Sequence, residues 1–260
     1  MPIIEHIRDS PITMWCPVVE LRQYALHPGR REDLIQLFDS KFIECQEAVG
    51  LTIMGQFRDL DDPNAFVWLR GLASMGTRAA ALSSFYDGPV WRAYRDRANA
   101  TLIDSDNVLL LRPAHPSSGF VEIARPNETV LVRDRRTGLL VATIYYLAQP
   151  ADVAFLDFFE GQLAPALHDA GASIDGYYTT EPSPNNFPRL PVRENEPVFV
   201  WFSSFPNERA YRLFIVSFTQ RLPTTVRQRL AGFLRTEPET HLLVPTTRSR
   251  LPAAATGSAR

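Results

Sequence analysis

Apolar positions along this chain follow two rhythms, and the switch between them happens twice in the same order. Val18 to Leu26 is a β-branched and aromatic run ended by Pro28-Gly29, which predicts a strand. From Arg30 to Glu47 the period lengthens: Leu34, Phe38, Phe42 and Cys45 fall on one stripe of a helix. Gly50 stands where a left-handed cap would end that helix. Leu51 to Arg58 and Ala65 to Gly71 predict two strands joined by a turn through Asp61-Asp62-Pro63-Asn64. Met75, Ala79, Leu82 and Tyr86 mark a second helix, which Gly88-Pro89 breaks. Pro89 suits the first turn of a new short helix carrying Val90 and Tyr94, and Ser105 to Arg112 closes the unit as a strand.

The second half repeats the pattern. Tyr24 to Pro28 matches Tyr146 to Pro150 at an offset of 122, and Gly50, Ile53, Gly55 and Phe57 match Gly171, Ile174, Gly176 and Tyr178 at 121. Phe66-Val67-Trp68 returns as Phe199-Val200-Trp201 at 133, after a Pro/Asn-rich insertion from Glu181 to Pro188. The helical stripe returns as Val153, Leu156, Phe159, Leu163 and Leu167. The expected fold is α+β: two tandem ferredoxin-like βαββαβ units, residues 16–115 and 136–247, forming a dimeric α/β-barrel-type architecture. Each unit leaves one sheet face bare, to be covered by the other unit or by a second chain. Residues 248–260, rich in Pro, Ala, Ser and Arg, predict a disordered tail.

Composition narrows the class. Apolar residues make up 45% and charged residues 22%, enough for real cores. A net charge of −2 provides no field that would draw in nucleic acid or an acidic membrane, so neither is expected as a partner. Cys16 and Cys45 lack a second ligand at metal spacing and fit a reducing compartment. Met1 to Ser10 has no apolar leader core, and no apolar stretch reaches 18 residues, so a cytoplasmic protein is expected.

Strand alternation puts Glu20, Arg22 and Tyr24 on one face, with Gln56 and Arg58, and Trp68 and Arg70, alternating likewise. These side chains are expected to point into the sheet-to-sheet cavity, with Leu21, Ile53 and Val67 facing the helices. Three arginines with Tyr24 and Trp68 suit a flat anionic or carbonyl-bearing ligand. Tyr24 and Arg22 are the candidate catalytic pair; Arg58, Arg70, Trp68, Gln56 and Asn99 are candidates for substrate binding. The competing reading is that Arg22, Arg58 and Arg70 pair with Glu20, Asp59 and Asp104 and only hold the barrel together. In the second copy Glu20, Arg22, Arg58 and Arg70 align with Ala142, Ile144, Thr179 and Ser203, which favours a site in the first half. His27, His168 and His241 are weaker candidates, as turn, helix-end or haem residues. No phosphate loop, Ser-His-Asp set or metal spacing is present.

Glu20-Leu21-Arg22-Gln23-Tyr24 with Pro28-Gly29 resembles the opening strand of NIPSNAP domains. Gly55 to Asp59 and Phe66 to Gly71 resemble their central hairpin, and Phe85 to Arg92 with Ala98 to Thr101 the segment before the last strand. The resemblance covers the first copy almost throughout and the second in outline. It implies a dimeric α/β barrel, a homo-oligomer, and relatives that include cofactor-free monooxygenases, isomerases, polyketide cyclases and haem enzymes. Bacterial members often carry His where this chain has Tyr94, so the resemblance does not carry an acid–base role to that position. The expected activity is small-molecule binding, with cofactor-independent enolate-type chemistry on an aromatic or acidic metabolite and no cofactor. A non-catalytic scaffold or a haem or metal enzyme are the alternatives.

Overall fold

The computed structural model describes residues 16–122 and 138–252. The amino-terminal stretch weighed as a leader, residues 136 and 137 of the second expected domain, and residues 253–260 lie outside the described residues. Nine strands form: β1 (Val18–Leu26), β2 (Leu51–Asp59), β3 (Ala65–Leu72), β4 (Leu102–Asp104), β5 (Val108–Pro113), β6 (Leu139–Tyr146), β7 (Ser173–Thr180), β8 (Val198–Phe205) and β9 (Glu239–Pro245). Their order is β3-β2-β9-β6-β8-β7-β5-β1, and β1 pairs back onto β3. Eight antiparallel strands thus close into a barrel within one chain, with β4 added beside the end of β1. Closure covers the strand edges except the part of β2 that β9 does not reach.

Two short seams complete the ring. Phe57, Arg58 and Asp59 pair with Pro245, Val244 and Leu243 at one; Leu111, Arg112 and Pro113 pair with Thr180, Thr179 and Tyr178 at the other. The expected tail does not begin at residue 248. The Leu251 N–H donates to the Met54 carbonyl at 3.2 Å, Ser249 Oγ accepts from the Gln56 N–H at 3.2 Å, and Leu251 is buried. Because β9 pairs only with the end of β2, the backbone of Met54 and Gln56 needs these partners.

Helices pack outside the barrel. Arg31–Leu37, Phe38–Phe42 and Ile43–Glu47 follow without a break as α1, whose middle turn is π-wound. Then come α2 (Met75–Tyr86), capped by Ser74, and α3 (Pro89–Asn99), longer than the short helix expected. In the second half α4 runs through Val153–Phe158, Phe159–Leu163 and Ala164–Ala170, again π-wound in the middle, followed by α5 (Glu208–Arg221) and α6 (Thr224–Phe233). Gly50 (φ 88°) and Gly171 (φ 109°) hold the left-handed positions after α1 and α4, where a Cβ would clash with its own backbone. Both halves also carry the same bulge, between Ile53 and Gly55 and between Ile174 and Gly176.

Three apolar clusters account for the core. One draws on strands of both halves and no helix: Val19, Leu21, Phe57, Val67, Leu69, Leu109, Ala142, Ile144, Val200 and Phe202 fill the barrel lumen. The other two join each half's outer sheet face to its helices. Leu21 and Val67 therefore face the lumen, opposite to expectation, and Ile53 faces the helices as expected. Every candidate that alternates with Leu21 and Val67 turns outward. Apolar side chains dominate the lumen; the cluster of Glu20, Arg22 and Arg70 lies between sheet and helices.

A candidate ligand site between the first sheet and its helices

The cross-strand register gathers the outward residues. Glu20 stands opposite Arg70, Arg22 opposite Trp68, Tyr24 opposite Phe66, and Gln56 opposite Trp68 on its other side. Glu20, Arg22 and Arg70 have no exposed surface, and Arg78 from α2 joins them equally buried. Glu20 Oε2 accepts from Arg22 Nη1 at 2.8 Å and from Arg70 Nε and Nη2 at 2.9 and 2.5 Å; Oε1 accepts from Arg78 Nε at 2.8 Å. Burial opposes ionisation of Glu20, but the guanidiniums of Arg70, Arg22 and Arg78 outweigh it and hold the carboxyl far below its usual range. Neutral groups take the remaining bonds: Arg70 Nη1 donates to Gln46 Oε1 at 3.1 Å, and Arg78 Nη1 to Asn185 and Asn186 of the insertion at 2.8 and 3.0 Å.

Beside this cluster lies a cavity of about 260 Å³. Its floor is Tyr24 and Trp68, edge-on to each other at 5.8 Å between ring centroids. Leu34, Phe38, Phe42 and Gln46 of α1 form one wall, Phe85 and Tyr86 of α2 with Trp91 and Asn99 of α3 another. Phe187, Arg189 and Leu190 reach over from the insertion of the second half, Phe187 stacking on Tyr86 at 6.1 Å. An aromatic box with a few polar groups is the usual make-up of a small-molecule site. Arg22 Nε donates to Tyr24 Oη at 3.0 Å, so the phenol accepts from behind and keeps its own hydrogen to donate forward. Burial pushes the Tyr24 pKa up, against the pull of Arg22, so it is a neutral phenol at pH 7.

The candidates divide accordingly. Tyr24, Trp68 and Asn99 line the cavity; Arg22 and Arg70 lie behind its floor, with guanidinium carbons 5.4 and 5.1 Å from the Trp68 ring centroid. Arg58 leaves the site for the surface, where it binds Glu32 of α1 through two bonds of 2.7 and 2.6 Å. Gln56 is buried next to Trp68 but does not line the cavity. The competing ion-pair reading holds for Arg22 and Arg70 with Glu20, and fails for Asp59, which binds His241 at 2.7 Å, and for Asp104, which caps a turn. His27 and His168 are exposed, and both His241 nitrogens are engaged by Asp59 and Glu239. Tyr94 packs against the outer core, with Lys41 over its ring.

The second half serves as an internal contrast, once its register is corrected. Val18↔Leu72 and Leu139↔Phe205 set β1 against β6 at an offset of 121, not 122. Glu20 and Arg22 therefore correspond to Val141 and Thr143, not to Ala142 and Ile144. Arg70 and Gln46 correspond to Ser203 and Leu167, and Arg78, counted from the caps Ser74 and Asn207, to Tyr211. The whole cluster is thus absent there. Leu34 corresponds to Phe155, whose ring packs against Phe199 and Phe233 at 5.0 and 5.2 Å. The π-turn occurs in both halves, so it belongs to the packing and not to the site. A larger cavity of about 660 Å³ lies where the halves meet; Arg112, Glu181, Arg193, Glu194 and Glu196 line it, and Arg193 pairs with Glu196.

Residues 19–118 match the NIPSNAP family model. Among solved structures, a protein of provisional monooxygenase assignment from Lactobacillus acidophilus is 11% identical, with a TM-score of 0.52 over 90% of this chain and 96% of its own. An anthrone oxidase-like protein is 12% identical, with a TM-score of 0.54 over 88% and 91%. An uncharacterized NIPSNAP domain protein from Burkholderia xenovorans is 20% identical, with a TM-score of 0.34 over 37% of this chain and 94% of its own. A search of curated proteins found no match. The two full-length likenesses establish a shared fold and nothing finer.

Proposed function

We propose that the chain, whose residues 19–118 match the NIPSNAP family model, binds a small ring-bearing metabolite in the cavity of its first half. The two halves, 16–115 and 136–247, act as tandem ferredoxin-like units, each strand set in the order 2-3-1-4 of its own half. One unit carries the site, and the other closes the barrel and lends Phe187 and Arg189 as a cover. The observation that carries this reading is the contrast between halves: the first backs its sheet-helix cavity with four buried charged residues and lines it with Leu34, whereas the second lacks that cluster and places Phe155 at the Leu34 position.

The arrangement favours a ligand that presents a carbonyl or enolate oxygen. The Tyr24 hydroxyl donates to that oxygen, and negative charge on it is stabilised through Tyr24 by Arg22. Arg70 and Gln46 hold the cluster in register and are positioning residues. Monooxygenase and anthrone oxidase assays come first, because the full-length fold neighbours carry those names.

Leu34→Phe tests the site. The second half already accepts Phe155 at the matching position, so the variant should fold with an unchanged or raised Tm. Planar aromatic acids and ketones that shift the Tm of the parent should lose that effect. A variant that keeps the full ligand-dependent shift would place the ligand elsewhere.

A further inference from the structure

Three guanidiniums and one carboxylate are buried together, so the cluster holds two positive charges in excess. Among the described residues, Glu20 is the sole carboxylate bonded to Arg22, Arg70 or Arg78; their other side-chain partners, Tyr24, Gln46, Asn185 and Asn186, are neutral. Arg22 Nη2 and Arg78 Nη2 are buried without an acceptor, as is Trp68 Nε1 in the cavity floor. Buried donors left unmade and buried charge left unbalanced are both costly, the more so where the surroundings are apolar. At the cavity mouth Arg189 is neutralised by Asp87 at 2.8 Å, so the excess charge sits behind the floor and not at the entrance.

We infer that the occupant of this cavity is bound as an anion, a planar phenolate, enolate or carboxylate whose oxygen faces the Tyr24 hydroxyl, with the Arg22 guanidinium behind that hydroxyl; this deepens the function proposed above and rests on it. The Arg22 guanidinium carbon lies 5.4 Å from the ring centroids of both Tyr24 and Trp68, so its charge reaches the cavity between the two rings. Arg70 stands behind Trp68 at 5.1 Å and adds to the same field. Tyr24 Oη already accepts from Arg22 Nε, and therefore the phenol meets the ligand as a donor. The Tyr24 donor and the charge behind it stand on that side, while the rings of Phe38, Phe85 and Trp91 enclose the rest of the ligand. A neutral ring would fill the same volume and leave the excess charge unanswered.

The test uses the full chain and two probes of matched shape, 4-nitrophenol and 4-nitroanisole. The first ionises to a coloured phenolate; the second cannot ionise. Bound 4-nitrophenol should titrate at least one pH unit below the free compound, which means phenolate is held about tenfold tighter than phenol. At a pH where it is ionised it should bind about tenfold tighter than 4-nitroanisole. Arg22→Gln should cancel the shift, and if that variant fails to fold, the titration of the unmodified protein decides alone. An unshifted or raised titration, with 4-nitroanisole binding as well as 4-nitrophenol, overturns the anion assignment and leaves the cavity reading standing. Binding of neither probe overturns both.

Discussion

Replacing Glu20 by Gln keeps the shape of the side chain and removes its charge. Three guanidiniums, all without exposed surface, would then share a single amide oxygen where two carboxylate oxygens now accept four bonds. At an effective dielectric of about 20, each contact at roughly 4 Å is worth about 4 kcal/mol of Coulomb attraction before desolvation. The cost of burying the carboxylate offsets most of that sum, and breaking a buried pair by removing one partner typically costs about 3–5 kcal/mol. Because the excess charge would rise from two to three, the upper part of that range is expected. It would take a large share of the roughly 5–15 kcal/mol that holds a folded protein together. Urea unfolding followed by circular dichroism at pH 7 reads the loss, and Glu20→Gln with Arg78→Gln should be less unstable than the single changes predict together. A loss under about 1 kcal/mol, the value of an exposed ion pair, would refute the claim that the cluster is dry. The same pair has a pH signature. Since the folded pKa of Glu20 is depressed, its contribution is complete above the ordinary carboxylate value and is lost as pH falls below it, toward strongly acid solution.

Tyr24→Phe removes the acceptor of Arg22 Nε and should cost about 1 kcal/mol of stability, while weakening carbonyl or anionic ligands about tenfold in a calorimetric titration. His241 bridges the seam between β2 and β9; burial disfavours its cation, but Asp59 and Glu239 outweigh that and push its pKa up to about 9. The raised value contributes at most about 3 kcal/mol, complete below pH 6.5 and lost as pH rises through 9; unfolding of His241→Gln should lack this alkaline loss. Leu251→Ala should destabilise the chain by about 2 kcal/mol in chemical denaturation, because Leu251 fills the core at the seam; no change would return that segment to a solvated tail.

Much of this architecture was legible in the chain. The stripe Leu34, Phe38, Phe42 and the glycines at 50 and 171 located helices and their ends, since amphipathic period and left-handed caps are local properties. Which strand face meets the helices was not legible. β1 is buried on both faces, so alternation separates Leu21 from Arg22 without saying which one looks into the barrel. The sequence reading places the polar groups in a lumen that proves mostly apolar, because most of their hydrogen bonds can be made behind helices as well as between sheets. Arg78 was missed, though it shares a stripe with Leu82 and Phe85, one and two turns along. The one-residue slip in the repeat arose where Tyr24 to Pro28 and Tyr146 to Pro150 match in loop chemistry; strand pairing sets register, and it is non-local. Segment 248–252 looked disordered by composition, whereas the unpaired edge of β2 gives it backbone partners.

The most direct test is a crystal structure of the protein soaked with a small planar aromatic acid. The compound should lie between Tyr24, Trp68, Phe38 and Trp91, with an oxygen within hydrogen-bond distance of Tyr24 Oη. Density for it in the larger cavity between the halves, or in the second-half space around Phe155, would contradict the account.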